Sequence, residues 1–237
     1  MSAPILTVEG LNARYGRAQA LFDIDLTLGE GEVVALMGRN GAGKSTMLKA
    51  IIGLVDAEAR RLDFAGRDIR GCAPYRIVRA GLGYVPEDRR IFTDLTVAEN
   101  LEVGGRAARP GQAAWTEERL FAIFPNLAEL RHRRAGHMSG GEQQMLAIAR
   151  TLMGNPLAVL LDEPSEGLAP VIVEHMAEAV LRMKKSGVAV LLSEQSLDFA
   201  AASSDRVYVI EQGQIRYAGA MAALLADTAL TQACLGV

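Results

Sequence analysis

The chain has 237 residues, half of them hydrophobic, and its 25 Lys and Arg against 28 Asp and Glu leave a net charge of −3. That length suits one large domain, or one domain with a smaller insert, and the charge excludes a global basic field that would draw the chain to nucleic acid. Cys72 and Cys234 are too few and too far apart for a disulfide framework or a zinc site, which suits a reducing compartment and makes the cytosol the expected location.

Residues 1–10 carry no charged stretch leading into an apolar one, so no secretory signal is expected. Leu6-Thr7-Val8-Glu9 and Ile24-Asp25-Leu26-Thr27-Leu28 alternate as strands do, and the segment from about 4 to 30 therefore predicts an antiparallel β flank. The apolar run Val33-Val34-Ala35-Leu36-Met37 then enters Gly38-Arg39-Asn40-Gly41-Ala42-Gly43-Lys44-Ser45-Thr46. This is the phosphate-binding pattern of two glycines followed by lysine and a hydroxyl residue, set between a strand and a helix. Each residue type has its own reason to be there. Glycines let backbone N–H groups close on phosphate oxygens, the lysine reaches the outer phosphates, and Ser45 is placed to ligate Mg²⁺. The helix predicted near 44–54 aims the positive end of its dipole at the same anion, so a nucleotide is the expected ligand.

Further along, unalternating apolar runs near 82–85, 157–161, 188–192 and 206–210 join 33–37 as predicted strands of a mainly parallel sheet covered on both faces. All are far shorter than the roughly 18 residues a membrane span needs. Helical patterns fall near 116–124, 140–153, 170–186 and 196–202, and a hairpin joins 207–210 to 214–217 around Gln212-Gly213. Between about 88 and 154 strand runs vanish and helical patterning takes over, broken by the Arg109-Pro110-Gly111 turn. The fold class is thus α/β. One domain is expected, with a P-loop NTPase core at about 1–87 and 155–237, including the β flank, and an inserted helical subdomain at about 88–154. Trp115 reads as a packing residue, and Arg131, Arg133 and Arg134 beside His132 as a solvated surface turn ahead of a phosphate patch.

Two motifs decide the chemistry. Leu157-Ala158-Val159-Leu160-Leu161-Asp162-Glu163-Pro164 is a buried strand ending in two carboxylates at the sheet edge where ligands of open α/β sheets sit. Asp162 fits a contact to Mg²⁺, and Glu163 can point at the water that attacks the γ-phosphate. Met138-Ser139-Gly140-Gly141-Glu142-Gln143-Gln144 starts the helix near 140–153 with a hydroxyl and glycines, a second anion cradle in the same chain.

With that second cradle the chain resembles the ATP-binding cassette ATPases, whose signature motif matches Ser139, Gly140, Gly141 and Glu142. The resemblance covers nearly the whole chain. It implies ATP and Mg²⁺ as ligands, and a head-to-tail dimer in which the cradle of one subunit closes on the γ-phosphate held by the other. It puts Tyr15 against the adenine, Glu87 in the loop that touches Mg²⁺ and the membrane partner, and Gln195 at the γ-phosphate. Most relatives carry glutamine and histidine at those last two positions. The loop 165–170 corresponds to the one that crosses the dimer interface, with Ala169 in place of the family's usual acid.

Glu87 and Gln195, with Pro86-Glu87-Asp88-Arg89-Arg90-Ile91-Phe92 and the closing Cys234-Leu235-Gly236-Val237, look like one of the two ATPases of bacterial importers for branched-chain amino acids. Importers of urea and short amides are close cousins. Lipopolysaccharide-export ATPases share the compact architecture but are expected to carry glutamine and histidine at 87 and 195, and a soluble cassette protein without a transporter is a further alternative. The implied partners are integral membrane permease subunits, a second cassette ATPase (paralogue or self) and, indirectly, a periplasmic binding protein. The expected place is the cytoplasm, peripheral on the inner face of the cell membrane.

Overall fold

A computed structural model describes residues 3–235, and the closing Gly236-Val237 lies outside them. In chain order, β1 (Leu6–Tyr15) and β2 (Ala18–Leu28) form an antiparallel ribbon, β3 (Val33–Met37) enters the main sheet, and α1 (Lys44–Ile51) follows the glycine-rich loop. β4 (Ala57–Glu58), β5 (Arg61–Phe64) and β6 (Arg67–Asp68) return to the ribbon, with β5 on the second edge of β1. α2 (Pro74–Ala80) leads into β7 (Leu82–Val85). Then come α3 (Val97–Gly104), α4 (Glu117–Ile123), α5 (Pro125–Glu129) and α6 (Gly140–Met153), without an intervening strand. The remainder alternates: β8 (Ala158–Asp162), α7 (Pro170–Lys185), β9 (Ala189–Glu194), α8 (Leu197–Ser203), β10 (Arg206–Glu211), β11 (Gln214–Ala220), α9 (Met221–Ala226) and α10 (Thr228–Leu235).

The main sheet runs β11-β10-β3-β9-β8-β7, parallel except for the edge strand β11. Its central strands β3, β8 and β9 are buried on both faces, which is why they read as unbroken apolar runs. Val33, Ala35 and Met37 face a core shared with Leu146, Ile148, Val180 and Met183 of α6 and α7. Val34 and Leu36 face a second core, where Met47, Leu48 and Ile51 of α1 meet Leu6, Leu26 and Phe64 of the flank. Full burial of side chains of this size stabilises by about 1.5–3 kcal/mol each. The sheet's register sets Met37 opposite Glu194, Ser193 opposite Asp162, and Leu161 opposite Val85. The loops after β3, β7, β8 and β9 therefore leave from one edge, which is where such sheets bind ligands.

Several boundaries differ from the sequence reading. The strand expected at 157–161 runs one residue further and ends on Asp162, and the one expected at 188–192 continues through Ser193 and Glu194, because both residues have ladder partners. The first helix stops at Ile51 rather than near 54, Ile52 being its C-terminal cap. The hairpin is longer than expected, Arg206–Glu211 with Gln214–Ala220, and both turn residues, Gln212 and Gly213, take positive φ as a two-residue turn requires. No helix among the described residues is long and apolar enough to cross a membrane.

Candidate active site

The loop after β3 is shaped by steric limits. A Cβ at Gly38 would collide with the Ile210 carbonyl, and Gly43 sits at φ +113°, a region closed to ordinary side chains. α1 begins directly after Gly43 with no side-chain cap and no acid in its first turn, so its first N–H groups and its positive pole face outward to an anion. Lys44 folds back under the loop. Its Nζ donates to the carbonyls of Gly38 at 2.8 Å and Arg39 at 3.3 Å, and stands 3.1 Å from Glu163 Oε1. The loop opens on a cleft of about 600 Å³ whose walls include Asn40, Gly41, Gly43, Lys44, Ser45 and Thr46, together with Glu87, Glu163 and Glu166.

Asp162, buried at the end of β8, accepts from Ser45 Oγ and Ser193 Oγ at 2.8 Å each and from the Tyr84 hydroxyl at 3.1 Å. Burial, reinforced by the neighbouring Asp162 charge, pushes the Tyr84 phenol far above its usual range, so this hydroxyl stays a donor. Glu163 leaves the strand in the left-handed region at φ +46°, a conformation rare outside glycine, and its N–H is held by the Ser193 carbonyl and Oγ, both at 3.1 Å. Its carboxylate lies between two donors: Lys44, and the Gln195 side-chain amide at 2.6 Å. Burial alone would raise its pKa, but the hydrogen bonds from Gln195 and Lys44 outweigh that and hold it below the ordinary carboxylate value. Glu166 is shifted the other way, raised chiefly by its hydrogen bond with the Glu163 carboxylate. The cleft thus favours the ionised form of one carboxylate beside a cation.

The remaining expected residues fall in different places. Glu87 is exposed in the cleft wall. Tyr15 is exposed, its hydroxyl 3.5 Å from Thr46 Oγ1, and is not among the residues lining the cleft. Ala42 is buried beneath the loop. Ser139 and Glu142 close a reciprocal cap at the start of α6, with Ser139 N donating to Glu142 Oε2 at 2.7 Å. None of Ser139, Gly140, Gly141 and Glu142 lines the cleft, so the two cradles do not meet within one chain. Arg131 is paired with Glu117 at the surface and Trp115 is buried, both as expected. Sequence reasoning missed Tyr84, Ser193, Glu194 and Glu166. The polar Ser193-Glu194 directly after an apolar run was the available signal.

Residues 21–166 match the family model described as ABC transporter. The chain is 41% identical over 232 residues to the high-affinity branched-chain amino acid transport ATP-binding protein BraG of Pseudomonas aeruginosa, covering 98% of this chain and all of that one. It is 32% identical to the probable branched-chain amino acid transport ATP-binding protein LivF of Archaeoglobus fulgidus, over 96% and 97% of the two chains. A crystal structure of an ATP-binding cassette of an ABC transporter, in its ADP conformation, superposes with a TM-score of 0.81 at 29% identity, covering both chains completely. Likeness of this extent takes in the phosphate loop, the paired carboxylates and the second cradle together, and the chain therefore belongs to the ABC transporter family as one of its ATP-hydrolysing cassettes.

Proposed function

We propose that this cassette energises a bacterial importer for branched-chain amino acids, seated on the cytoplasmic face of the cell membrane through integral membrane subunits. The observation that carries the hydrolytic role is Glu163, fixed between Lys44 and Gln195 in the wall of the phosphate-loop cleft. Support for the transported class is the full-length likeness to BraG, together with Glu87 and Gln195 in place of the more usual glutamine and histidine.

In this reading Asn40, Gly41, Gly43, Lys44 and Thr46 hold the phosphates, and Tyr15 meets the adenine. Glu163 takes the proton of the attacking water. Ser45, Asp162 and Glu87 would hold Mg²⁺. The donor set fits it, since a serine hydroxyl 2.8 Å from a carboxylate offers hard oxygen ligands. Mg²⁺ typically takes one or two protein carboxylates and completes its shell with phosphates and water. When bound, it neutralises phosphate charge. Gln195 orients Glu163 and offers an uncharged donor near the γ-phosphate.

The partner cassette's Ser139–Glu142 cradle completes the site, a reading supported by the exposed Ser139 and by the distance of this cradle from its own cleft. The division into a core at 1–87 and 155–237 and a helical subdomain at 88–154 belongs to the same account. So does docking of the membrane subunits in the groove of about 370 Å³ beside the Glu87 loop, where Leu54, Phe92 and Val103 are about half exposed. The periplasmic binding protein acts through those subunits. No nucleic acid is involved.

The test is reconstitution of the cassette with the membrane subunits and binding protein encoded beside it, followed by measurement of ATP-dependent uptake. Leucine accumulation that stops with Glu163→Gln supports the reading. Uptake of urea but not leucine would reassign the solute, and failure to co-purify with any membrane subunit would remove the transport role.

A further inference from the structure

Glu194, the last residue of β9, is 2% exposed, and a carboxylate so deep in the protein is costly unless both oxygens are held. Both are. Oε1 accepts the backbone N–H of Ser165 at 3.0 Å, and Oε2 accepts those of Gln195 at 3.1 Å and Ser196 at 3.3 Å. Among the described residues no lysine, arginine or histidine forms an ion pair with it, so hydrogen bonds hold it, these three N–H groups and the Ser165 side chain among them. They lie on two separate loops. Ser165 is two residues beyond Glu163, and Gln195 is the residue whose amide reaches the Glu163 carboxylate.

The location explains why such a tie is useful. The ladder between β8 and β9 ends at Asp162 opposite Ser193, and Glu163 then turns away at φ +46°. The Glu163 N–H still bonds Ser193, but beyond it the two segments have no strand pairing to fix their separation, and the Gln195–Glu163 side-chain contact spans them at 2.6 Å. The Glu194 carboxylate takes over where the ladder stops.

We propose that Glu194 is a positioning residue for hydrolysis: its carboxylate ties the loop carrying Glu163 to the loop carrying Gln195 and so sets the contact between them. The proposal rests on Glu163 being the carboxylate that accepts the water's proton. Misplacement of a reacting group by about 1 Å can cost on the order of a hundredfold in rate, so a tie of this kind acts on turnover rather than on nucleotide binding.

Two variants of the full chain test it. Glu194→Gln is isosteric, but its NH₂ must face N–H donors on one side, so one loop loses its acceptor. Glu194→Asp keeps the charge and is too short to reach both loops. Each is expected to lower kcat about tenfold or more while KM for ATP stays within about twofold. In a Gln195→Ala background the same Glu194→Gln change is expected to cost little further, because the contact it positions is already gone. Wild-type kcat in both variants, or losses that add fully to that of Gln195→Ala, would overturn the proposal. Parallel loss of MgATP affinity and thermal stability would also overturn it, by showing a merely structural role. Glu163→Gln measured alongside separates the two ideas: if it retains turnover, the reading of Glu163 fails, whereas a dead Glu163→Gln with unimpaired Glu194 variants removes the tie alone.

Discussion

Gln195 Nε2 lies 2.6 Å from Glu163 Oε2, and the other oxygen of the same carboxylate faces Lys44 Nζ at 3.1 Å. One donor is charged and the other is not, so the amide stabilises the ionised carboxylate by hydrogen bonding alone.

Removing the amide should therefore weaken the fold in a pH-dependent way. The Glu163 pKa is depressed in the folded protein, so its contribution to stability is present above the unfolded carboxylate value and is lost as pH falls through the folded one. Gln195→Ala brings the folded value closer to the unfolded one. It is expected to lower stability by about 0.5–1.5 kcal/mol near neutrality. Thermal unfolding across pH checks this: the gap to wild type should be widest above the carboxylate range and should shrink on acidification.

Lys44→Ala removes the lysine proposed to reach the outer phosphates and leaves the Glu163 side chain, 8% exposed, without its charged partner, with Gln195 and Glu166 still hydrogen-bonded to it. Nucleotide titration should show loss of tight MgATP binding. Calorimetric unfolding should show a further loss of about 1–3 kcal/mol, the cost of an undercompensated buried carboxylate. Unchanged affinity would contradict the assignment of the loop.

Gln195→His supplies a group that can donate and share positive charge at the place proposed for the γ-phosphate. The isolated wild-type chain is expected to be a weak ATPase that works best beside a different cassette subunit carrying glutamine and histidine at these positions. Turnover of the wild-type and Gln195→His homodimers, each compared with the mixed dimer, measures this. The expectation is a faster variant homodimer. Equal rates throughout would remove the idea of unequal sites.

What could be read from the sequence was what is local in it. Gly38 to Thr46 stands out because its glycines, lysine and hydroxyls are close neighbours in the chain, and Asp162-Glu163 because two acids end an apolar run. Glu194 was harder to place. Its burial depends on a ladder position opposite Met37 and on a loop about 30 residues earlier in the chain, neither of which has a local signature. α2 is seven residues long with Ile77 as its one buried side chain, too little for a helical period, and β4 and β6 are two residues each. α3 was detectable: Thr96 and Glu99 form a reciprocal cap whose spacing is visible in the chain, and the buried Asn100 pins the preceding loop through Phe92. The second cradle was legible as a motif. Its separation from the first came only through the family resemblance, since it depends on how α6 packs against the sheet.

The central claim is that Glu163 is the carboxylate on which hydrolysis depends, and steady-state ATP turnover of Glu163→Gln tests it most directly. The amide is isosteric and still accepts from Lys44, so nucleotide binding should persist, but it cannot take the proton of the attacking water. Turnover is expected to fall by at least about a hundredfold with MgATP affinity retained, and size measurement with ATP should show a stable dimer. Hydrolysis at the wild-type rate would contradict the account.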